Sequence, residues 1–303
     1  MNPEFGTVIT AMVTPFDERG QIDEGATEGL IKHLLANGTD GLVVCGTTGE
    51  SPTLSHAEKL KLFGLVKEIT GGRVPLIAGT GSNNTAESIT LSKEAVALGY
   101  DAVLLVAPYY NRPSQEGLYR HFRTIAEAAR TPTLLYNIPG RSAVTIEPAT
   151  IKRLVKDCSF ICGVKEATGN LMQASELLIG APGGFLLYSG EDGLVLPLMA
   201  IGGVGVISVT SHLVGRDLSA MCSAYRNGAV AEAARLHLKM MPIVRACFQS
   251  TTPSPAPVKA ALNLIGVPVG EVRLPLVPVN DSERQIVQKA VYEYGLLGEK
   301  VRN

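Results

Sequence analysis

Lys165 stands in the run FICGVKEAT, residues 160–168, where almost every neighbour is apolar or small. A lysine embedded in such a strand must leave water, and desolvation favours its uncharged amine, a nucleophile toward carbonyl carbon. In an extended chain Gly163 and Ala167 share its face, and both are small enough to leave room for a substrate beside the amine. The competing reading is a lysine whose stem runs along the sheet and carries its charge out to solvent. An imine-forming lysine also needs groups that move protons, because water leaves the carbinolamine and a proton comes off the adjacent carbon. Tyr136, Thr47 and Tyr110 could supply that relay, although Tyr136 alone also reads as a core aromatic and Thr47 as a turn residue. Arg141, just after a Pro-Gly turn, suits two-pronged capture of a carboxylate, where an exposed loop arginine is the commoner case. Together these residue types point to a small keto acid held covalently on Lys165.

Other chemistries find less support. The loop GTTGES at 46–51 lacks the Gly-Lys-Ser/Thr ending of a phosphate-binding loop, and Gly79-Thr80-Gly81 lacks the third glycine and downstream acid of a dinucleotide site. Ser51 and Ser189 have no histidine placed as a base, and no Gly-x-Ser-x-Gly elbow occurs. The cysteines Cys45, Cys158, Cys162, Cys222 and Cys247 are odd in number and sit mostly in apolar stretches, so they read as reduced core thiols. Cys158 and Cys162 have no second pair, and the histidines at 33, 56, 121, 212 and 237 never recur at ligand spacing, so no metal is expected. The formal net charge is −1, from 27 basic and 28 acidic residues, which leaves no electrostatic footprint for nucleic acid or an anionic membrane. No apolar run reaches the roughly 18 to 20 residues of a membrane span, and MNPEFGTVIT lacks a basic, apolar leader pattern. The expectation is a cytoplasmic protein whose partners are small molecules.

The elements that would position these groups recur regularly. Short β-branched, apolar runs at 7–14, 41–47, 75–80, 102–107, 132–138, 160–167, 184–189 and 204–209 read as strands with helical patterns between them. Continuous apolarity suits parallel strands covered on both faces, and each gap has room for a crossover helix. Ser55-His56-Ala57-Glu58 is a capping box, and Asn84-Thr85-Ala86-Glu87 repeats the idea before a helix that ends on Gly99. Eight strand–helix units favour a closed (β/α)8 barrel over an open sheet of about five or six strands. Helical patterns at 217–227, 229–250, 256–265 and 282–296 then predict a C-terminal appendage. The division expected is a catalytic barrel over 1–226 and a helical region over 227–303. In such barrels the reactive groups lie at the carboxyl ends of the strands, where GTTGES, PYYNRP, YNIPGR and GVKEATG fall.

The set GTTGES, APYYNRPSQEGLY, LLYNIPGR, GVKEATGN and GVISVT closely resembles the dihydrodipicolinate synthase and N-acetylneuraminate lyase family, and within it the dihydrodipicolinate synthases. The likeness runs from about Thr7 into the tail, where VRLPLVPVNDS also looks like the family. It implies a (β/α)8 barrel, a homotetramer built as a dimer of dimers or a homodimer, and no cofactor beyond the covalent imine on Lys165. It implies that pyruvate forms that imine, that its enamine attacks L-aspartate 4-semialdehyde, and that cyclisation frees the lysine, a step of lysine and diaminopimelate biosynthesis. Carried over residue by residue, Tyr136 becomes the proton donor and acceptor, linked through Thr47 to Tyr110 of a neighbouring subunit. Thr48 would hold the pyruvate carboxylate and Arg141 that of the semialdehyde, while Gly190 and Ile207 would line the pocket with their carbonyls. The same likeness places a feedback site for L-lysine at Ser51, Pro52, His56, Lys59, Asn83, Glu87 and Tyr109. Lys59 departs from the histidine of lysine-sensitive members, and its cation predicts weak or absent feedback. An N-acetylneuraminate lyase or 2-keto-3-deoxy sugar acid aldolase is the alternative, which Arg141 disfavours because sialate lyases generally lack an arginine there. A barrel that binds or regulates without chemistry would be marked by loss of Lys165 or Tyr136, and both are present.

Overall fold

The structure, a computed structural model, describes residues 4–297; residues 1–3 and 298–303, which the expected division included, lie outside the described residues. Among the described residues eight parallel strands close into a barrel in chain order. They are β1 (Val8–Ala11), β2 (Gly41–Val44), β3 (Leu76–Gly79), β4 (Ala102–Val106), β5 (Thr133–Asn137), β6 (Ile161–Glu166), β7 (Leu186–Ser189) and β8 (Gly205–Ser208). Helices α1 (Glu24–Ala36), α2 (His56–Thr70), α3 (Thr85–Ala97), α4 (Gln115–Ala129), α5 (Pro139–Ser142), α6 (Pro148–Asp157), α7 (Leu171–Leu178), α8 (Val195–Ala200) and α9 (Ser211–Arg226) alternate with them. After the barrel come α10 (Val230–Cys247), α11 (Ala256–Leu264) and α12 (Asp281–Tyr294). The expected fold class and all eight strands are found.

Strand alternation explains why the strands read as unbroken apolar runs. Ile9, Val43, Ile77, Leu104, Leu134 and Ile207 fill the barrel interior, while Val8, Leu42, Val44, Leu105 and Val206 pack outward in a separate cluster with the helices. That outer cluster continues without a break into Met240, Ile243, Val258, Leu262 and Val287, so the C-terminal helices share the barrel's outer core.

The strands end earlier than their apolar runs. Cys45 adopts φ 56°, a left-handed conformation that no extended strand can contain, so Gly46 and Thr47 leave the sheet and form a turn. The last barrel helix starts six residues before the expected 217, at Ser211 directly after β8, with the Ser208 hydroxyl accepting from Ser211 N–H at 2.8 Å. The capping box forms as read, with Ser55 Oγ accepting from Glu58 N–H at 3.2 Å and Glu58 Oε2 accepting from Ser55 N–H at 2.8 Å. Asn84 instead caps alone: its side chain accepts from Ala86 and Glu87 N–H, and the Glu87 carboxylate turns to the Ser82 hydroxyl 3.5 Å away. Gly99 takes φ 83° beyond α3, as expected of a helix-ending glycine.

His212 ties the two ends of the barrel seam together. Its Nδ1–H donates to Val209 O at 2.7 Å and its Nε2 accepts from Val13 N–H at 3.2 Å, an arrangement that needs the neutral ring. Burial pushes the imidazole down from 6.5 to about 4. Below pH 6.5 the unfolded chain therefore binds a proton that the folded chain refuses until about pH 4. The contribution is full above that window and is lost as pH falls through it, amounting to about 3 kcal/mol for this ring. Urea unfolding between pH 7 and 4 should show this decline, and the His212 ring resonances in an NMR titration should stay at their neutral positions above pH 5.

Candidate active site

Hydrogen-bond register brings the chemistry-bearing side chains of neighbouring strands level with one another. Lys165 on β6 pairs with Tyr136 on β5 and with Tyr188 on β7, so all three point into the barrel at one height. Lys165 is 4% exposed, and its Nζ lies 4.2 Å from the centroid of the Tyr136 ring, itself 5% exposed. The amine is therefore withdrawn from solvent at the carboxyl end of the barrel, and the reading in which its charge reaches bulk water is excluded. Among the described residues no group of three or more His, Cys, Asp or Glu could hold a metal.

Tyr136, Thr47, Ile138 and Arg141 line a cavity of about 340 Å³ that opens at this end, with Gly46, Gly79, Leu104 and Val106 among its other wall residues. Lys165 is not on that wall; its amine lies against the Tyr136 ring, which is. Thr47 comes from the turn between β2 and the single 3-10 turn at Ser51–Thr53. Two backbone bonds close this turn, Glu50 N–H to Thr47 O at 3.0 Å and Ser51 N–H to Gly46 O at 3.3 Å. Thr48 is 4% exposed beside Thr47 but does not line the cavity. Arg141 sits in the short helix α5 and donates from Nη2 to Ser254 O at 3.2 Å, in the segment that precedes α11. Ile207 on β8 is fully buried in the barrel interior, in register with Ile9.

Two of the small residues beside Lys165 do different work from that expected. A Cβ at Gly163 would lie 2.2 Å from Leu186 O, so this glycine serves the close approach of β6 and β7 and leaves no room for substrate. Space near the amine is kept by Gly190, whose own Cβ would stand 2.7 Å from Ala167 Cβ and 3.2 Å from Lys165 Cε. The chain does not bring Tyr110 to its own site. That tyrosine is 90% exposed at φ 73°, on a loop held by Asn83 Nδ2 donating to Tyr109 O at 3.2 Å and Asn111 Nδ2 donating to Asn83 O at 3.0 Å.

Of the positions read as a lysine site, Ser51, Pro52 and Tyr109 line the same cavity as Tyr136. Lys59 is half-buried; burial pulls its amine down, against the pull upward of Cys45 and Glu87. Asn83 braces Tyr109, Glu87 faces Ser82, and His56 pairs with Glu94 at 2.9 Å.

Three carboxylates around the site escape a reading of the sequence. Glu166, next to Lys165 but on the opposite face of β6, accepts from Asn137 Nδ2 at 3.2 Å and Thr168 N–H at 2.8 Å, and burial pushes its carboxyl up. It thereby joins the ends of β5 and β6. Asp192 accepts from the hydroxyl of Ser208, from Val209 N–H at 3.0 Å and from the Thr210 hydroxyl at 2.8 Å, fixing the end of β8. Burial and neighbouring Asp192 push the Glu191 carboxyl up, while Lys165 and Arg141 pull it down, which places it in the field of both cations. The signal each leaves in the sequence is an acid at or just after a strand end, which many loops share.

The same chain-wide pattern is found in known proteins. The model of the dihydrodipicolinate synthetase family matches residues 4–294. The 4-hydroxy-tetrahydrodipicolinate synthase of Listeria welshimeri is 55% identical over 282 residues, covering 92% of this chain and 95% of the relative. The crystal structure of dihydrodipicolinate synthase from Cyanidioschyzon merolae with lysine bound is 44% identical, with a TM-score of 0.94 over 97% of this chain and 99% of that one. The chloride-inhibited dihydrodipicolinate synthase of Acinetobacter baumannii complexed with pyruvate is 37% identical, with a TM-score of 0.93 over 97% of this chain and 100% of that one. The chain belongs to the dihydrodipicolinate synthetase family.

The Gly190 contacts yield a direct test. Gly190→Ala should lower stability by about 1–3 kcal/mol through overpacking against Ala167. It should also slow covalent chemistry at Lys165 on the order of tenfold, read by thermal unfolding and by the rate of adduct formation with a keto acid.

Proposed function

We propose, from family membership and the geometry of the barrel mouth, that the chain is a 4-hydroxy-tetrahydrodipicolinate synthase: a lyase that joins pyruvate to L-aspartate 4-semialdehyde. The observation that carries this reading is the buried Lys165 amine lying 4.2 Å from the centre of the Tyr136 ring, which lines a cavity together with Thr47 and Arg141. Lys165 Nζ attacks C2 of pyruvate and water leaves, giving a protonated imine. A proton then leaves C3 and the electron pair forms the enamine, with the imine nitrogen as the electron sink. That sink makes a metal or further cofactor unnecessary for the carbon–carbon bond. C3 attacks the aldehyde carbon of the second substrate, and the amino group of that substrate then adds to C2. That addition closes the ring, and expulsion of the Lys165 amine from C2 leaves the cyclic imine, so the water lost when pyruvate formed its imine is the one released overall.

Tyr136 is the group that passes protons to and from the bound carbonyl compound, because its ring abuts the amine. Thr47 links it toward Tyr110. Since Tyr110 is 90% exposed in the single chain, the relay is complete only when a second copy presents its Tyr110, which makes a dimer the smallest active unit and a tetramer a pair of such dimers. Thr48 and the carbonyls of Gly190 and Ile207 hold pyruvate. Arg141 holds the carboxylate of the semialdehyde, and this favours the synthase over a sugar-acid aldolase, whose second substrate carries hydroxyls in place of that carboxylate. No helix among the described residues is long and apolar enough to cross a membrane.

Borohydride with pyruvate should add a stable mass to the peptide that holds Lys165, and Lys165→Ala should abolish the adduct; an unmodified wild-type chain would sink the proposal. Arg141→Ala should still be trapped by pyruvate but should lose about 10²-fold in kcat/KM for the semialdehyde, a loss of ~3 kcal/mol in transition-state binding. Millimolar L-lysine should leave the rate nearly unchanged, because the Lys59 cation opposes a second ammonium beside Glu87. A steep inhibition curve would contradict that assignment.

A further inference from the structure

Glu50 closes the turn that carries Thr47, and its carboxylate leads away from the barrel. Oε1 lies 2.7 Å from Lys259 Nζ on α11, and both side chains are fully buried. Oε2 accepts from Arg273 N–H at 2.9 Å. Lys259 Nζ also donates to Glu271 O at 2.9 Å. The two cations sit over Phe16, with Lys259 Nζ 4.3 Å and the Arg273 guanidinium 4.2 Å from the ring centroid. Arg273 in turn donates to Gly20 O at 2.8 Å and to Thr53 O at 2.9 Å.

A fully buried ion pair is weak evidence for stability, because an apolar pair of the same volume avoids the desolvation of both charges. The pair does constrain geometry. Glu50 is held at φ 56° and ψ 37°, a conformation that a residue with a Cβ rarely adopts and keeps only where surrounding contacts dictate it. The backbone bond from Glu50 N–H to Thr47 O, at 3.0 Å, hands that constraint to the residue on the cavity wall. The opposite wall is touched by the same C-terminal segment, through Ser254 O and Arg141.

We infer that the Glu50–Lys259 pair is a positioning device for the reaction, holding the turn so that Thr47 meets Tyr136, and that the C-terminal helices thereby act on imine chemistry. The inference rests on the pyruvate-imine reading, and the test separates the two. The paired substitution Glu50→Gln with Lys259→Met removes both buried charges while keeping the shapes of the side chains. It is made in the wild-type chain and in a Thr47→Val background, folding is checked by thermal unfolding, and the rate of pyruvate trapping by borohydride is measured. On the wild-type background trapping should slow about tenfold, whereas on the Thr47→Val background the same change should cost less than about twofold, since the residue it positions is gone. Equal losses on both backgrounds, or no loss in a folded protein, would overturn the inference. Absence of trapping in the wild type would instead remove the imine reading itself. Glu50→Asp, which keeps both charges but shortens the arm, is run through the same cycle. It serves as the deciding variant if the paired one does not fold: equal slowing on both backgrounds overturns the inference, and slowing confined to the wild-type background supports it.

Discussion

The removal of one amine from water is the constraint around which this barrel is organised. An amine that is to meet a bound carbonyl compound must be kept out of bulk water, so the interior accepts Lys165 without leaving it a route to solvent. The strands achieve this by packing Tyr136 and Tyr188 level with it and by placing small residues at Gly190 and Ala167. Closure of the sheet then excludes the other outlet, since a closed barrel has no edge along which the stem could escape.

Precision at the mouth comes from carboxylates that never meet the substrate cavity. Glu166 binds the ends of β5 and β6, Asp192 binds the end of β8, and Glu50 binds the β2 turn to the C-terminal helices. Glu166 and Glu50 each fix a backbone segment that carries a cavity residue or a neighbour of one, whereas Asp192 fixes the end of the strand that holds Ile207. A barrel of eight independent loops would be too loose for chemistry in which fractions of an ångström matter, and these polar clasps supply the stiffness that loops lack.

Lys165, Tyr136, Thr47 and Arg141 converge within one chain, whereas Tyr110 stands on a braced loop and faces outward. The proposed dimeric relay rests on this exposed ring, whose loop backbone is braced by Asn83 and Asn111.

Much of the architecture was legible in the residues alone. Unbroken apolar strand runs, caps at Ser55 and Asn84, and polar motifs at strand ends depend on local pattern, which a linear reading registers. The motifs around Lys165 and Tyr136 were legible for the same reason. What only the tertiary structure decided is which distant groups touch: that Gly163 yields to Leu186 and Gly190 to Lys165, that Cys45 ends β2 in a left-handed turn, and that Glu50 finds its cation on α11. No local pattern encodes these, because each depends on how far apart closure of the barrel sets two strands or where the returning C-terminal chain lays its helices. Residue type and spacing determined the chemistry available to this protein; packing determined which residues are held still enough to perform it.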